Sequence, residues 1–492
     1  MLLASAAAAP ERPVILDGNT ATSYAELASR SGAIAAGLSA AGIEPSDRVA
    51  IMLRQGSDLA AAFFGALAGG AVAVVVNELL RPRQVEHILS GSRATVLLTS
   101  SEVTDRLPRR LETSARVLDL GSIPDQGDVT LAPRVADDVA QIIYTSGSTG
   151  LPKGVTVSHA NLWAGMRSVT TYLEITSEDR IAALLPFSFD YGLNQLLCAV
   201  GTGACLVVER SPVAPRIART LAEQRVSVVA AVPPLWLQLI DTESFSSKRL
   251  DSLRVLTNSG GKLPAAAVRA LRRSQPGASL VLMYGLTEAF RSTYLPPDQV
   301  DRKPDSVGQA IPGAEILVLD EDLAPCAPGE VGQLVHRGPT VALGYWDDPK
   351  ATARVFRPNP MRPAGTPDAE RVVFSGDLVY RDDDGDLFFV GRSDSQIKTL
   401  GYRVSPDEVV EVLHASAQIV EAVVDSEPDE VRGARIVAHV VLRRDGSLEA
   451  LESYAADELP RFMRPARIET YEALPRTVSG KHDAAAARGA RG

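Results

Sequence analysis

Short uncharged runs of valine, leucine, isoleucine and alanine recur along this chain, and segments with helical spacing separate them. Runs without polar alternation are typical of strands that are buried on both faces of a parallel sheet. Strands that alternate with helices predict an α/β fold with mostly parallel sheets up to about residue 310. Because 492 residues exceed what one hydrophobic core accommodates, we expect two or three domains.

The segment 59–76 carries no charge and just reaches the length of a membrane span. Glycines at 69–70 and a valine-rich run at 72–76 instead favour a buried helix, a turn and a parallel strand. We therefore predict no membrane association. The formal net charge of −10, from 50 basic and 60 acidic residues, also argues against non-specific nucleic-acid binding.

Beyond residue 311 the chain changes to short strands and turns, and near residue 394 a fresh α+β unit begins. We predict an N-terminal domain, 1–393, with a β-rich subdomain at about 311–393, and a small mobile α+β domain, 394–492. The three cysteines, Cys198, Cys205 and Cys326, are scattered and lack metal-ligand spacing. A reducing, cytoplasmic location is therefore expected.

Residues 144–154 read YTSGSTGLPKG, directly after the apolar run Ile142-Ile143. Glycines let backbone N–H groups approach an anion, the hydroxyls add donors, and Lys153 adds a charge. The segment is not a Walker A loop, because Lys153 is followed by glycine and not by serine or threonine. A low-complexity surface loop is the alternative, but the lysine and the preceding strand favour a phosphate-binding loop.

Five further polar clusters lie between apolar segments, and each has an ordinary structural explanation when taken alone. Asp190 among aromatics could cap a helix, and Lys481 near the C-terminus could simply be solvated. Glu288 could hold Mg²⁺ through oxygen, and Asp377 could bind a vicinal diol. The full set comprises 187–191, 259–261, 284–288, 374–377 and 475–481.

In this order and at these separations, the clusters resemble the core motifs of the adenylate-forming superfamily, which includes acyl-CoA synthetases, nonribosomal-peptide adenylation domains and firefly luciferase. The resemblance extends from about residue 23 to residue 481. It implies an AMP-forming ligase that uses ATP and Mg²⁺. A catalytically silent nucleotide-binding protein on the same fold is the alternative of another class.

The resemblance also implies roles for individual residues. Lys481 would bridge the α-phosphate, the ribose and the substrate carboxylate, and Thr287 would contact the α-phosphate. Glu288 would bind Mg²⁺, and Asp377 with Arg392 would hold the ribose. Asp394 would be the hinge of a swinging C-terminal domain. After that domain has moved, the loop that contains Lys398 would face the site. The β- and γ-phosphates would meet Thr145, Ser146, Gly147, Ser148, Thr149, Gly150 and Lys153, and adenine would meet Ser259, Gly260, Gly261, Tyr284 and Gly285.

Asp190 is the most informative residue for the substrate. In amino-acid-activating members of the superfamily an aspartate at this position pairs with the substrate ammonium, so we favour a small amino acid. Arg291 either meets a substrate carboxylate or pairs with Asp190, and the second arrangement would remove this argument. The stretch 284–297 also resembles acyl-CoA ligases of bacterial exosortase loci. The implied pocket comprises Asp190, Tyr191, Asn194, Ala231, Thr257, Ser259, Met283, Arg291 and Ser292.

The chain carries no recognisable carrier domain, so its acceptor is expected to come from outside. The resemblance implies transfer to the pantetheine thiol, or to an amine, borne on a discrete acyl or peptidyl carrier protein in natural-product biosynthesis. This stand-alone layout resembles that of the amide-forming adenylation enzymes of macrolactam biosynthesis. Transfer to coenzyme A is the alternative.

Overall fold

The computed structural model describes residues 1–80, 82–106, 111–145, 152–363, 365–366, 370–392, 397–399, 402–404, 406–429, 433–459, 463–476 and 486. The helices are α1 (Leu2–Ala8), α2 (Tyr24–Ala40), α3 (Ser57–Ala68), α4 (Pro82–Ser92), α5 (Ser101–Thr104), α6 (His159–Tyr172), α7 (Asp190–Thr202), α8 (Ala214–Glu223), α9 (Pro233–Ile240), α10 (Glu243–Ser246), α11 (Ala265–Ser274), α12 (Pro349–Val355), α13 (Pro406–Ala415) and α14 (Leu448–Glu458), with a 3₁₀ turn at Leu120–Ser122.

The strands are β1 (Pro13–Asp17), β2 (Thr20–Ser23), β3 (Arg48–Met52), β4 (Val72–Val75), β5 (Val96–Thr99), β6 (Arg116–Asp119), β7 (Val139–Thr145), β8 (Lys153–Ser158), β9 (Arg180–Ala183), β10 (Cys205–Val208), β11 (Val228–Ala231), β12 (Val255–Asn258), β13 (Ser279–Tyr284), β14 (Thr293–Leu295), β15 (Ser306–Ala310), β16 (Glu315–Leu319), β17 (Gly332–Arg337), β18 (Gly344–Tyr345), β19 (Phe356–Pro358), β20 (Arg371–Arg381), β21 (Leu387–Arg392), β22 (Ile397–Thr399), β23 (Tyr402–Val404), β24 (Ile419–Asp429), β25 (Gly433–Leu442) and β26 (Arg467–Thr470).

The first large sheet has seven strands in the order β18-β8-β7-β4-β3-β5-β6. Its interior pairs are parallel, while β7 and β8 form an antiparallel hairpin. The uncharged segment 59–76 forms most of α3, a glycine turn and β4, as predicted, and all four residues of β4 are buried. Across the described residues, we find no helix that combines the length and the apolar character needed to cross a bilayer.

The second large sheet has 14 strands, in the order β16-β17-β20-β21-β15-β14-β13-β12-β11-β9-β10-β1-β2 with β19 beside β20. Strands β1, β10, β9, β11, β12 and β13 pair in parallel, which confirms the predicted α/β class. Antiparallel pairing starts at β14, earlier than the change of texture at residue 311 suggested. One hydrophobic core contains residues of both large sheets and of α2, α3, α6 and α7.

Helix starts follow the local sequence. Ser23 caps α2 by accepting from the Glu26 backbone N–H, and the Glu26 carboxylate accepts from the Ser23 N–H in return, which forms the predicted capping box. Ser158 and Asn161 cap α6 in the same reciprocal way. These caps fix where the chain leaves a strand and enters a helix.

The C-terminal part has its own small sheet, in which β24 pairs antiparallel with β25 and β25 pairs parallel with β26. Its own apolar core includes Val409 of α13, Val440 of β25 and Leu451 of α14. Lys262 Nζ joins this unit to the large sheets by donating to Glu411 Oε2 of α13 at 2.9 Å. The predicted domain boundary stays a prediction, because residues 393–396 lie outside the described residues.

Candidate active site

The carboxyl ends of three neighbouring parallel strands meet at one edge of the second sheet. Ala231 ends β11 and pairs with Asn258, which ends β12, and Asn258 pairs with Leu282 of β13. Because the ends of parallel strands share an edge, this register brings the predicted pocket residues of β11, β12 and β13 together. Ala231 and Ser259 are buried, and Met283 is 6% exposed.

The predicted phosphate loop is carried by the β7–β8 hairpin, in which Thr145 pairs with Lys153. Pro152 O lies 3.0 Å from His87 Nε2, and Lys153 Nζ lies 5.5 Å from the centre of the Tyr345 ring. Several predicted residues lie outside the described ones: Ser146, Gly147, Ser148, Thr149, Gly150, Asp394 and Lys481, together with the side chain of Lys398.

Glu288 is held by a residue that the sequence analysis did not single out. Tyr345 Oη donates to Glu288 Oε1 at 2.5 Å, and Ala342 N donates to Glu288 O at 2.9 Å. Burial, with the nearby Glu288 carboxylate, raises the pKa of Tyr345, so the phenol stays protonated as a donor. Tyr345 therefore links the stem of the predicted phosphate loop to the predicted metal ligand.

Glu288 supplies a carboxylate, and its neighbour in sequence, Thr287, supplies a hydroxyl. A carboxylate and the neighbouring Thr287 hydroxyl are ligands that suit Mg²⁺, which prefers hard oxygen donors and keeps several waters. The residues thus fit the predicted metal, with Glu288 as the group that would hold it. Mg²⁺ bound there would offset negative charge on the phosphates.

Three carboxylates in another part of the described chain lie close enough together to be considered as ligands of one metal ion. They belong to Asp382, Asp384 and Asp386. Lys303 Nζ already donates to all three, at 2.6, 2.8 and 2.6 Å. This aspartate-rich turn therefore folds around a lysine. It belongs to the β20–β21 connection and not to the site at Glu288.

The residues predicted for the nucleoside also come together. Tyr284 Oη donates to the Asp377 carboxylate, and Arg392 Nη1 donates to Asp377 Oδ1 at 3.2 Å, because Asp377 and Arg392 are cross-strand partners in β20 and β21. Asp377 N donates to Ser375 Oγ at 3.0 Å. Burial and the Asp377 carboxylate raise the pKa of Tyr284. Gly260 adopts φ +81° in the turn that follows β12, a conformation that favours glycine.

Gly285 allows the chain to fold back after β13. A Cβ at this position would lie 2.8 Å from Phe290 O and 2.9 Å from Arg291 Cα, so a side chain would force the loop apart. Phe290 itself has φ +64°, a conformation that non-glycine residues adopt at a cost. Thr287 and Glu288 lie within this tight loop, and after it Arg291 lies beside Asp190 of α7.

Asp190 is the first residue of α7 and is 4% exposed. It is not the helix cap, which is Phe189; its Oδ1 accepts from Tyr191 N at 2.9 Å. Arg291 Nη1 lies 3.8 Å from Asp190 Oδ2, with both side chains buried, so the two groups form an ion pair. The pairing that the sequence analysis left open is therefore present, and a substrate ammonium is not the only cation available to Asp190.

The remaining pocket residues form a tight buried network. Tyr191 Oη lies 2.5 Å from Thr257 Oγ1 and donates to Thr257 O at 3.0 Å. Met283 Sδ accepts from Tyr172 Oη at 2.9 Å. A cavity beside this network is lined by Ile143, Val157, Asn161, Leu162, Asp190, Leu193, Leu197, Thr287, Phe290 and Thr340. Asp190 and Thr287 share this cavity, which brings the predicted substrate and α-phosphate residues to one space.

His336 is a site residue that sequence reasoning missed. It lies in β17 with no exposure, and its two ring nitrogens lie 3.0 Å from Ser292 Oγ and from Thr340 Oγ1. Burial lowers the pKa of His336 to about 4. The only sequence signal for it is a lone histidine at an inward position of the alternating strand 332–337.

His336 predicts an acid-sensitive fold. The unfolded chain binds a proton near pH 6.5 and the folded chain only near pH 4, so stability is complete above pH 6.5 and declines as the pH falls to about 4. The full loss corresponds to about 3 kcal/mol. We expect the Tm of His336→Gln to fall less steeply than that of the native chain between pH 7 and pH 4.5. Parallel Tm curves would contradict this assignment.

Comparison with known proteins agrees with this geometry. A sequence profile of the AMP-binding enzyme family matches residues 2–346, and a profile of the AMP-binding enzyme C-terminal domain matches residues 408–481. Novobiocin biosynthesis protein H of Streptomyces niveus is 33% identical over 495 residues, which cover 97% of this chain and 80% of that protein. The L-proline--[L-prolyl-carrier protein] ligase of Pseudomonas fluorescens is 30% identical over 504 residues, which cover 98% of this chain and 97% of that protein.

Among solved structures, o-succinylbenzoate CoA synthetase of Bacillus subtilis in complex with its acyl-adenylate intermediate superimposes with a TM-score of 0.85 at 26% identity, covering 98% of this chain and 96% of that one. Several other relatives are much longer proteins, of whose length this chain spans 6 to 9%. The predicted resemblance and fold class are confirmed. The chain belongs to the AMP-binding enzyme family and is an adenylate-forming ligase.

Proposed function

We propose that this ligase activates a small amino acid with ATP and transfers it to a thiol or amine borne on a discrete carrier protein in natural-product biosynthesis. In the first step a substrate carboxylate oxygen bonds to the α-phosphorus, and the bond from that phosphorus to pyrophosphate breaks. In the second step the acceptor sulfur or nitrogen bonds to the acyl carbon, AMP leaves, and the acceptor loses its proton. The three free cysteines support the cytoplasmic location predicted from the sequence.

The observation that carries this proposal is that one cavity is lined by both Asp190 and Thr287. Glu288 follows Thr287 directly, and through Tyr345 it connects to Lys153 at the stem of the β7–β8 hairpin. A carboxylic acid bound near Asp190 would therefore lie next to the groups proposed for the phosphates. Adenylation needs this proximity, because two anions must approach each other in a site that excludes water.

Individual roles follow from the same arrangement. We assign Lys153 and the loop before it to the β- and γ-phosphates, Glu288 to Mg²⁺, and Asp377 with Arg392 to the ribose. Lys481 is proposed as the lysine that joins carboxylate and α-phosphate, Asp394 as the hinge, and Lys398 as a residue of the second arrangement. These three lie in or near the C-terminal unit, so a swing of that unit would exchange one lysine for the other.

The amino-acid assignment rests on Asp190. Its carboxylate is buried at the start of α7, where the helix dipole stabilises negative charge, and it lines the cavity. A substrate ammonium in this cavity would meet the Asp190 carboxylate as a cation additional to Arg291, whose Nη1 lies 3.8 Å from Asp190 Oδ2. The matched L-prolyl-carrier protein ligase supports an amino acid and a carrier protein as the two substrates.

Transfer to coenzyme A is the second candidate. The Arg291–Asp190 ion pair favours it, because a carboxylate that is already neutralised has less need of a substrate amine. The structural similarity to a CoA synthetase supports the same alternative. In that case Asp190 would position Arg291 and would contribute nothing to selection of an amine.

ATP–pyrophosphate exchange with pairs of acids that differ only in the amine tests the substrate. We expect alanine over propionate and 2-aminobutyrate over butyrate by ~30-fold or more in kcat/KM, since removing one partner of a buried charge pair costs roughly 2–5 kcal/mol. In Asp190→Asn, the preference for alanine over propionate and for 2-aminobutyrate over butyrate should both be smaller. Exchange with the amine-free acids alone would reject the amino-acid assignment, and no exchange with any acid would reject the ligase proposal.

The acceptor can be identified from the product. Incubation of the enzyme with a labelled acid, ATP and either a pantetheinylated carrier protein or coenzyme A will show which of them accumulates label. Hydroxylamine releases the label from a thioester and not from an amide, so it separates a thiol from an amine on the carrier. Label on coenzyme A alone would favour the CoA ligase alternative.

A further inference from the structure

Arg291 is buried with most of its donors unpaired. The side chain is 3% exposed, and its Cζ lies 4.3 Å from the centre of the Tyr191 ring. Nη1 donates to Phe290 O at 2.9 Å. Nε and Nη2 have no hydrogen-bond partner among the residues that the structure describes. Because about nine in ten buried polar groups in proteins are paired, this guanidinium calls for an acceptor from outside the chain.

Asn194 offers a second unpaired donor in the same region. It lies one helical turn after Asp190 in α7, and its buried Nδ2 also lacks a partner in the described part of the chain. Asn194 Oδ1 accepts from Cys198 Sγ at 3.4 Å. Residues four apart lie on one face of a helix, so Asn194 lies on the same face of α7 as Asp190, whose carboxylate pairs with Arg291.

Charge balance narrows what can bind. Asp190 and Arg291 lie 3.8 Å apart and together carry no net charge. A bound ammonium alone would add one buried positive charge to this pair, and a second carboxylate alone would add one buried negative charge. A substrate that brings both groups adds no net charge to the pocket, which avoids the cost of burying an uncompensated charge.

We propose that the acid activated by this enzyme is a small amino dicarboxylic acid. Its ammonium lies near Asp190, and the carboxylate that is not adenylated accepts hydrogen bonds from Arg291 Nε and Nη2 and from Asn194 Nδ2. The planar fork of arginine suits a carboxylate, which can accept two parallel N–H groups. This assignment rests on the proposed amino-acid function and specifies its substrate class.

Matched substrates test the second carboxylate. Pyrophosphate release is measured with aspartate against 2-aminobutyrate and with glutamate against norvaline, pairs in which a methyl group replaces one carboxylate. Succinate against aspartate tests the ammonium in the same assay. We expect the diacid to be preferred in at least one pair by ~30-fold or more in kcat/KM, and aspartate or glutamate to exceed succinate.

Variants then assign the preference to a residue. In Arg291→Gln, the kcat/KM values for the diacid and the monoacid should differ by no more than about 3-fold. Arg291→Lys keeps the charge but not the planar fork, so its ratio should lie between those of the native enzyme and of Arg291→Gln. The ratio within one variant does not depend on the fraction of folded protein. Arg249→Gln, at a side chain that is 66% exposed and paired with Asp251, makes the same chemical change on the surface and should leave the ratio unchanged.

Three results would overturn the inference. If the neutral amino acids are used equally well or better in both pairs, the enzyme does not recognise a second carboxylate, and the proposed amino-acid function is unaffected. If succinate is used as well as aspartate, the enzyme does not recognise the substrate ammonium. If none of the acids supports pyrophosphate release, the proposed function itself is rejected, and the substrate class with it.

Discussion

Changing Lys481 to alanine is expected to lower pyrophosphate release by roughly 10²–10³-fold, the usual loss when one preorganised donor to a developing charge is removed. The family profile of the C-terminal domain ends at this residue, in the cluster 475–481 that the sequence analysis singled out. The substrate carboxylate must approach a phosphate that is also negative, and a lysine between them offsets that repulsion. The loss should appear mainly in kcat, because the charge develops in the transition state.

The second half-reaction separates this role from a general defect. When preformed aminoacyl-adenylate and the acceptor are supplied, Lys481→Ala should transfer the acyl group at close to the native rate, since in the proposed second arrangement this lysine has left the site. Lys350→Ala, at an exposed position in α12, serves as a matched control and should leave both steps unchanged. Equal loss in both half-reactions would contradict the swinging-domain assignment.

Local features of the fold were predictable because they depend on neighbours in sequence. The Ser23–Glu26 capping box and the helix, turn and strand of residues 59–76 both follow from residues a few positions apart. The place where parallel pairing gives way to antiparallel pairing was not predictable in the same way. Strand β14 pairs with β13 across a loop, and β15 joins β21 about 80 residues later in the chain, so tertiary packing decides the sheet.

In the candidate site, too, some features depend on neighbours in sequence and others on tertiary contacts. Its motifs could be read from the sequence because each is contiguous, as in 144–154 and 284–288. Contacts within the candidate site instead join residues that are distant in sequence: Tyr345 bonds to Glu288 across 57 positions, and Arg291 pairs with Asp190 across 101. No local pattern specifies such pairs. The sequence therefore supplied the candidate residues, while the structure was needed to identify their partners.

Glu288→Gln is expected to lower the rate of adenylation by about 10³-fold, because several kcal/mol of charge stabilisation depend on a correctly held metal ion. The amide keeps the size of the side chain and can still accept from Tyr345 Oη, which lies 2.5 Å from the native carboxylate. It lacks the negative charge that a hard cation prefers. The Mg²⁺ concentration that gives half of the maximal rate should therefore rise together with the loss of rate.

Tyr345→Phe is the matched variant, because it removes only the hydroxyl that orients Glu288 and leaves the carboxylate in place. Partners that orient a metal ligand typically contribute 10–100-fold, so we expect a loss of about 10-fold, well below that of Glu288→Gln. Raised Mg²⁺ should recover part of the activity of Tyr345→Phe and little of that of Glu288→Gln. If the two variants lose the same activity with an unchanged Mg²⁺ requirement, Glu288 does not hold the metal, and its contact with Tyr345 serves only to join β18 to the loop after β13.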